Sequence, residues 1–160
     1  GEERPPAGLA PGATVEALAR AKAEEVRARC APGAVVIAAD TVVELDGALL
    51  GKPQDAADAA RMLRALSGRG HRVFTGVCVC RGERLLLRHE ETEVRFRPLS
   101  DGEIAAYVRS GEPLDKAGAY GIQGRAALFA EGIRGDFFNV MGLPLCALGQ
   151  MLKELGVELL

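Results

Sequence analysis

The sequence predicts an α/β fold, and three observations predict it. Apolar stripes at helical spacing lie near both ends of the chain, Ala34-Val35-Val36-Ile37-Ala38-Ala39 forms an unbroken apolar run, and extended segments with period-two alternation follow. The length of 160 residues fits a single domain (1–160) with a sizeable core, and no repeat, linker or low-complexity tract divides it. Apolar residues make up 48% and charged residues 26%, an ordinary globular mixture that excludes wholesale disorder. A net charge of -2 and a pI near 5.8 exclude a broad basic face for nucleic acid, but not a nucleotide held by a few local cations. No apolar run approaches the roughly 20 residues that span a bilayer. The opening Gly1-Glu2-Glu3-Arg4-Pro5-Pro6 shows no signal peptide. A soluble cytoplasmic protein is therefore expected, with no membrane and no nucleic acid among its partners.

The first dozen residues, crowded with Pro and Gly, read as an irregular lead-in. Thr14 is suited to cap a helix reaching about Cys30, with Val15, Leu18 and Val26 on its apolar stripe. Lys22 falls on that same stripe, either as a snorkelling side chain at the core edge or as a cation aimed into a cleft. The run 34–39 then reads as a fully buried central strand ending at Asp40-Thr41. Asp46-Gly47 suits a tight hairpin between 41–45 and 48–50. Asp55 caps a helix through Ala60, Leu63 and Leu66, which Gly68 ends. Extended segments follow at 71–80 and through Thr92, Val94 and Phe96. Ser100 and Glu103 form a capping box for a helix to about Ser110. A glycine-rich block covers 111–124. Strand-like stretches at 126–130 and 137–140 precede a last helix from Pro144 with Leu145, Leu148, Leu152 and Leu155 on one face.

Cysteine usage points to a reducing compartment. Only Cys78-Val-Cys80 is close-set, and a strand would put both sulfurs on one face as core fillers. Neither His71 nor His89 supplies zinc-like spacing.

Candidate chemistry falls in three places. Asp40 ends the buried strand, where α/β sheets bind ligands, and its carboxylate suits either a divalent metal or water activation. A turn-capping role, with Thr41 bonding locally, is the plainer alternative. Gly51-Lys52-Pro53 resembles the end of a phosphate loop but fails as one. The glycine spacing is a residue short, Pro53 stands where Ser or Thr should bind Mg²⁺, and a hairpin replaces the strand-to-helix passage. Lys52 remains a candidate phosphate contact from a tight turn, or simply a solvated turn lysine. In Asp115-Lys116-Ala117-Gly118-Ala119-Tyr120-Gly121-Ile122-Gln123-Gly124, spaced glycines allow close backbone approach to a ligand. Asp115, Lys116, Tyr120 and Gln123 add a carboxylate, a cation, a stacking ring and an amide able to read a base edge.

These motifs, with Leu18-Ala19-Arg20-Ala21-Lys22-Ala23, Arg95-Phe96-Arg97-Pro98-Leu99-Ser100 and Asn139-Val140-Met141-Gly142-Leu143-Pro144-Leu145, resemble in order the Maf family of nucleoside triphosphate pyrophosphatases. The resemblance implies a long mixed twisted sheet flanked by helices, in two lobes around a central cleft, as in inosine triphosphate pyrophosphatases. It implies hydrolysis of a nucleoside triphosphate to monophosphate and pyrophosphate with Mg²⁺, or Mn²⁺ or Co²⁺, in nucleotide house-cleaning, and a homodimer. By matched position Asp40 resembles the proton acceptor, Lys22 and Lys52 the phosphate-contacting lysines, and Glu3 an acidic residue near metal and water. Asp40 and Glu3 are thus the metal candidates. Thr41 and Gln123 match base-selecting positions, and the version Tyr-Gly-Ile-Gln-Gly is similar to the dTTP/UTP-cleaving branch. A modified purine substrate and a nucleotide-binding regulator of septum formation are the alternatives. The family opens with a strand and a loop rich in Ser, Pro and paired arginines; that segment is expected to precede Gly1 rather than to be naturally missing.

Overall fold

The computed structural model describes residues 8–160, so Glu3 lies outside the described residues. Helix α1 (Pro11–Arg27) leads into strands β1 (Val35–Leu45) and β2 (Ala48–Leu50), then helix α2 (Ala56–Leu66). Strands β3 (Gly70–Arg81) and β4 (Arg84–Phe96) follow, then α3 (Asp101–Arg109) and three 3₁₀ turns at Glu112–Asp115, Ala117–Ala119 and Arg125–Leu128. Strand β5 (Ala130–Arg134) and helices α4 (Phe137–Met141) and α5 (Leu145–Glu154) complete the chain. The described strands form one five-stranded sheet in the order β2-β1-β3-β4-β5, and every pairing is antiparallel.

Local signals explain most boundaries. Asp46 and Gly47 both take positive φ (50° and 83°), as a tight β1–β2 turn requires. The Asp55 side chain accepts from Asp58 N at the start of α2, and Ser100 with Glu103 closes a full capping box on α3. Three expectations fail. Helix α1 starts at Pro11, whose fixed φ suits a first turn, and Thr14 Oγ instead donates to Ala10 O from inside the helix. Residues 126–128 form a 3₁₀ turn, and the strand begins only at Ala130, where β4 offers a partner. Residues 137–141 are helical because the Asp136 carboxylate accepts from Phe138 N and Gly142, at φ 115°, ends the turn.

Side-chain alternation along β1 assigns the two faces of the sheet. Val36, Ala38, Asp40 and Val42 look toward α1, where Ala19 and Ala23 pack on Val36, Cys78 and Cys80. On the opposite face, α5 covers Val77 and Val79 beside Ala39, while α2 and α3 cover Val43, Leu45, Val73, Val94 and Phe96. The strand is not fully buried as its composition suggests: Val35 and Ile37 are 39% and 45% exposed. Within the described residues, β2 pairs only with residues 43–45 of β1, leaving the 35–42 edge without a ladder on that side. Cys78 and Cys80 are buried and unbridged, with their sulfurs 3.8 Å apart, and burial pushes the Cys78 thiol up to about 12. No helix in the described residues is long and apolar enough to cross a membrane.

A buried polar pair ties β3 to the glycine-rich segment. His71, 2% exposed, meets the Tyr120 hydroxyl at 2.6 Å through Nε2, and both rings pack edge-on with Phe96. Burial lowers the His71 pKa to about 4. The folded state therefore holds His71 neutral while the unfolded chain protonates it below about 6.5. Its contribution is complete above that pH and is lost as the pH falls toward 4. Thermal unfolding between pH 7 and 4.5 should show a loss of about 2 kcal/mol, and a His71→Gln variant should flatten that part of the profile.

Candidate active site

One cleft, of about 1050 Å³, opens beside residues 39–42 of β1. That is at the upper end of small-molecule sites and leaves room for a nucleotide with its metal and waters. Asp40, Thr41, Lys22, Lys52, Lys116, Tyr120 and Gln123 all line it, so the structure brings together every predicted site residue except Glu3.

Asp40 reaches the cleft differently from the sequence-based expectation. It lies within β1 and not at the end of a strand, and the sheet is antiparallel, so the strand-end rule does not apply. Asp40 instead borders the cleft from within the strand. On the α1 face Asp40 stands opposite Gly76 of β3. A Cβ on Gly76 would lie 2.2 Å from Val15 O, so only glycine lets α1 settle this close to the sheet. That seating brings Lys22 Nζ to 3.3 Å from Asp40 Oδ2 and 3.5 Å from Ala39 O. The Asp40 side chain is 12% exposed and Lys22 36%. Lys22 is thus a cation aimed into the cleft from the inward face of its helix.

The glycine-rich segment forms a second wall. Gly118 adopts φ 70° with its N–H donating to Gly51 O at 3.1 Å, and a Cβ there would meet Val43 Cγ2 at 2.6 Å. The segments joined by this lock bring Lys52 and Lys116 to the same cleft. Lys116 Nζ pairs with Asp115 Oδ1 at 2.8 Å, and that bond, helped by the charges of Lys116 and Lys52, holds the Asp115 carboxyl below its ordinary range. Gln123 is exposed on the same wall. Tyr120 borders the cleft, but its ring belongs to the core with His71 and Phe96, which corrects the expectation of a stacking ring.

Sequence reasoning missed the supports beneath this wall. Tyr107 OH donates to Glu112 Oε1 at 2.9 Å and accepts from Gly121 N at 3.0 Å. Glu112 Oε2 accepts from Arg125 N at 3.3 Å, so a carboxylate and a phenol clamp the backbone on both sides of Gln123. Burial, reinforced by Glu112, raises the Tyr107 pKa and keeps the phenol a donor. Nothing local in the sequence marks these bonds, because they join segments that meet only after folding.

The donor set bears on a metal. No group of three or more His, Cys, Asp or Glu gathers among the described residues, so they form no protein cage. Asp40 and Asp115, the two carboxylates that line the cleft among the described residues, with lysines beside them, suit a Mg²⁺-like ion, which takes one or two carboxylates and completes its shell with substrate phosphates and water.

With this geometry, similarity to known proteins becomes decisive. The sequence profile of the family described as "Maf-like protein" matches residues 1–155. The chain belongs to that family. A dTTP/UTP pyrophosphatase of Symbiobacterium thermophilum is 56% identical over 146 residues, covering 91% of this chain and 75% of the relative. The protein of the same name from Thermococcus gammatolerans is 55% identical over 143 residues, 89% of this chain and 76% of its own. One from Pelotomaculum thermopropionicum is 50% identical over 161 residues, 99% and 84% of the two chains. In this Maf-like protein, the cleft collects residues from five of the six motifs that carry the family resemblance, spread from Leu18 to Gly142 along the chain, while 95–100 lies outside it.

Proposed function

We propose that the protein hydrolyses dTTP, UTP and related or modified pyrimidine nucleoside triphosphates to the monophosphate and pyrophosphate, as a cytoplasmic house-cleaning enzyme. The carrying observation is the placement of Lys22, Lys52 and Lys116 around Asp40 in one nucleotide-sized cleft. The names of the relatives support the pyrimidine preference. A triphosphate brings about four negative charges, which such a set of fixed cations offsets before water attacks. Lys52, from its exposed turn, and Lys116, across the Gly118 lock, take the phosphate chain as point charges. Lys22 stays beside the Asp40 carboxylate.

Water adds across the α–β anhydride, its oxygen bonding to phosphorus as the bridging P–O bond breaks. Asp40 accepts the proton that the water loses, and pyrophosphate leaves with the electron pair of the broken bond. A divalent cation, Mg²⁺ or alternatively Mn²⁺ or Co²⁺, would be held by Asp40, with Glu3 as a second candidate, and would supply charge neutralisation and polarisation of the phosphoryl oxygens. Thr41 and Gln123 face the base. The assembly belonging to this reading is a homodimer, which light scattering checks.

Pyrophosphate release from dTTP and UTP with Mg²⁺ tests the reading. Turnover no faster than that of an Asp40→Asn control, or a strong preference for a purine triphosphate, would overturn it. Removing a single phosphate contact with Lys52→Ala should raise KM about tenfold with a smaller change in kcat. Steady-state kinetics at two salt concentrations check this, because the lost term is electrostatic and weakens in salt.

A further inference from the structure

The cleft hydroxyl of Thr41 has a proton whose direction is dictated from behind. Thr75, on β3 opposite Thr41, is fully buried and does not line the cleft. Its Oγ1 lies 2.8 Å from Thr41 Oγ1 and 3.0 Å from the carbonyl oxygen of Asn139. A carbonyl only accepts, so the one Thr75 proton goes to Asn139 O. The contact with Thr41 then needs the Thr41 proton, which points inward at Thr75. The reverse arrangement would set two bare oxygens against each other at 3.0 Å. The carbonyl itself is anchored, since it also accepts from Gly142 N. So is the side chain of Asn139, whose Nδ2 donates to Val73 O, Glu90 O and Thr92 Oγ1.

Resting on the pyrimidine-triphosphate reading, we infer that Thr75 is a positioning residue for base selection. By drawing the Thr41 proton inward it leaves only lone pairs facing the cleft, so the base edge bound there must bring a donor. The imide N–H of uracil or thymine does so; cytosine carries a bare acceptor at the same ring position. Gln123, whose amide both donates and accepts, imposes no such sign.

Calorimetric binding of the α,β-methylene analogues of UTP and CTP to the intact protein, with Mg²⁺, tests this on wild type, Thr75→Val and Thr75→Ser. Wild type should prefer the uridine analogue by about tenfold, the worth of one correctly signed polar contact. In Thr75→Val the Thr41 proton is free to face the cleft, and the two affinities should converge. Thr75→Ser should restore the preference. Thr75→Ala gives the same readout should the added methyl of valine disturb packing. An unchanged affinity ratio in Thr75→Val or Thr75→Ala, even with both affinities weakened, overturns the inference, as does a wild type without preference. Binding of neither analogue overturns the pyrimidine reading together with it. The expected ratios without pyrophosphate release from UTP would overturn the reaction alone and leave the role of Thr75 standing.

Discussion

An Asp40→Asn variant is expected to fold, to bind a nucleoside triphosphate and to lose about 10³-fold in kcat. Asparagine keeps the shape of the side chain within β1, so the strand and its pairing with β3 have no reason to change. Two properties are lost. The amide has no basic oxygen to take a proton from water, and Lys22 Nζ, 3.3 Å away, loses its anionic partner. Neither loss touches the contacts of Lys52 and Lys116, so KM should move far less than kcat. Pyrophosphate release gives kcat, and binding of a non-hydrolysable analogue confirms an intact site. A kcat within tenfold of wild type would remove Asp40 from the reaction. The same variant separates its two candidate roles: if the carboxylate chiefly holds metal, raising Mg²⁺ should recover much of the rate, whereas a lost base is not restored by metal.

How much of this was legible depends on whether the deciding contact is local. The Asp46-Gly47 hairpin, the Asp55 cap and the Ser100–Glu103 box are each written within a few residues, and each forms where the sequence places it. The helix from Pro144 is equally plain, with Leu148 and Leu152 buried on one face. Errors arise where tertiary contacts override local pattern. Residues 137–140 look like a strand by composition, yet Asn139 is needed as a buried plug between β3 and β4, and a capped helical turn delivers it. Val26 fits the α1 stripe in sequence but is 48% exposed, because the sheet ends before the helix does. The candidate site residues that line the cleft were named through the family motifs. The groups that hold them (Gly76, Thr75, Tyr107 and Glu112) carry no local signature, since their roles follow from strand register and loop closure.

Gly76→Ala puts that register to its most direct test. The added Cβ would stand 2.2 Å from Val15 O, 2.3 Å from Val15 C and 2.7 Å from Glu16 N, all backbone atoms that no rotamer change can move. Helix α1 must lift from β3, opening the contacts of the buried Val15 with Val42 and Phe74. Overpacking of this kind costs about 3 kcal/mol, at the high end for one inserted methyl group, and a fall in Tm of roughly 10 °C is expected. Lys22 lies two turns beyond Val15 on the same helix, so the lift also draws its ammonium away from Asp40. Activity measured well below the new Tm should therefore fall as well, by about tenfold, although Gly76 touches no substrate. A variant that loses stability but keeps full kcat/KM would show that the Lys22–Asp40 contact is dispensable for the chemistry. One that keeps its Tm within about 2 °C would show that α1 does not rest on the sheet at Gly76.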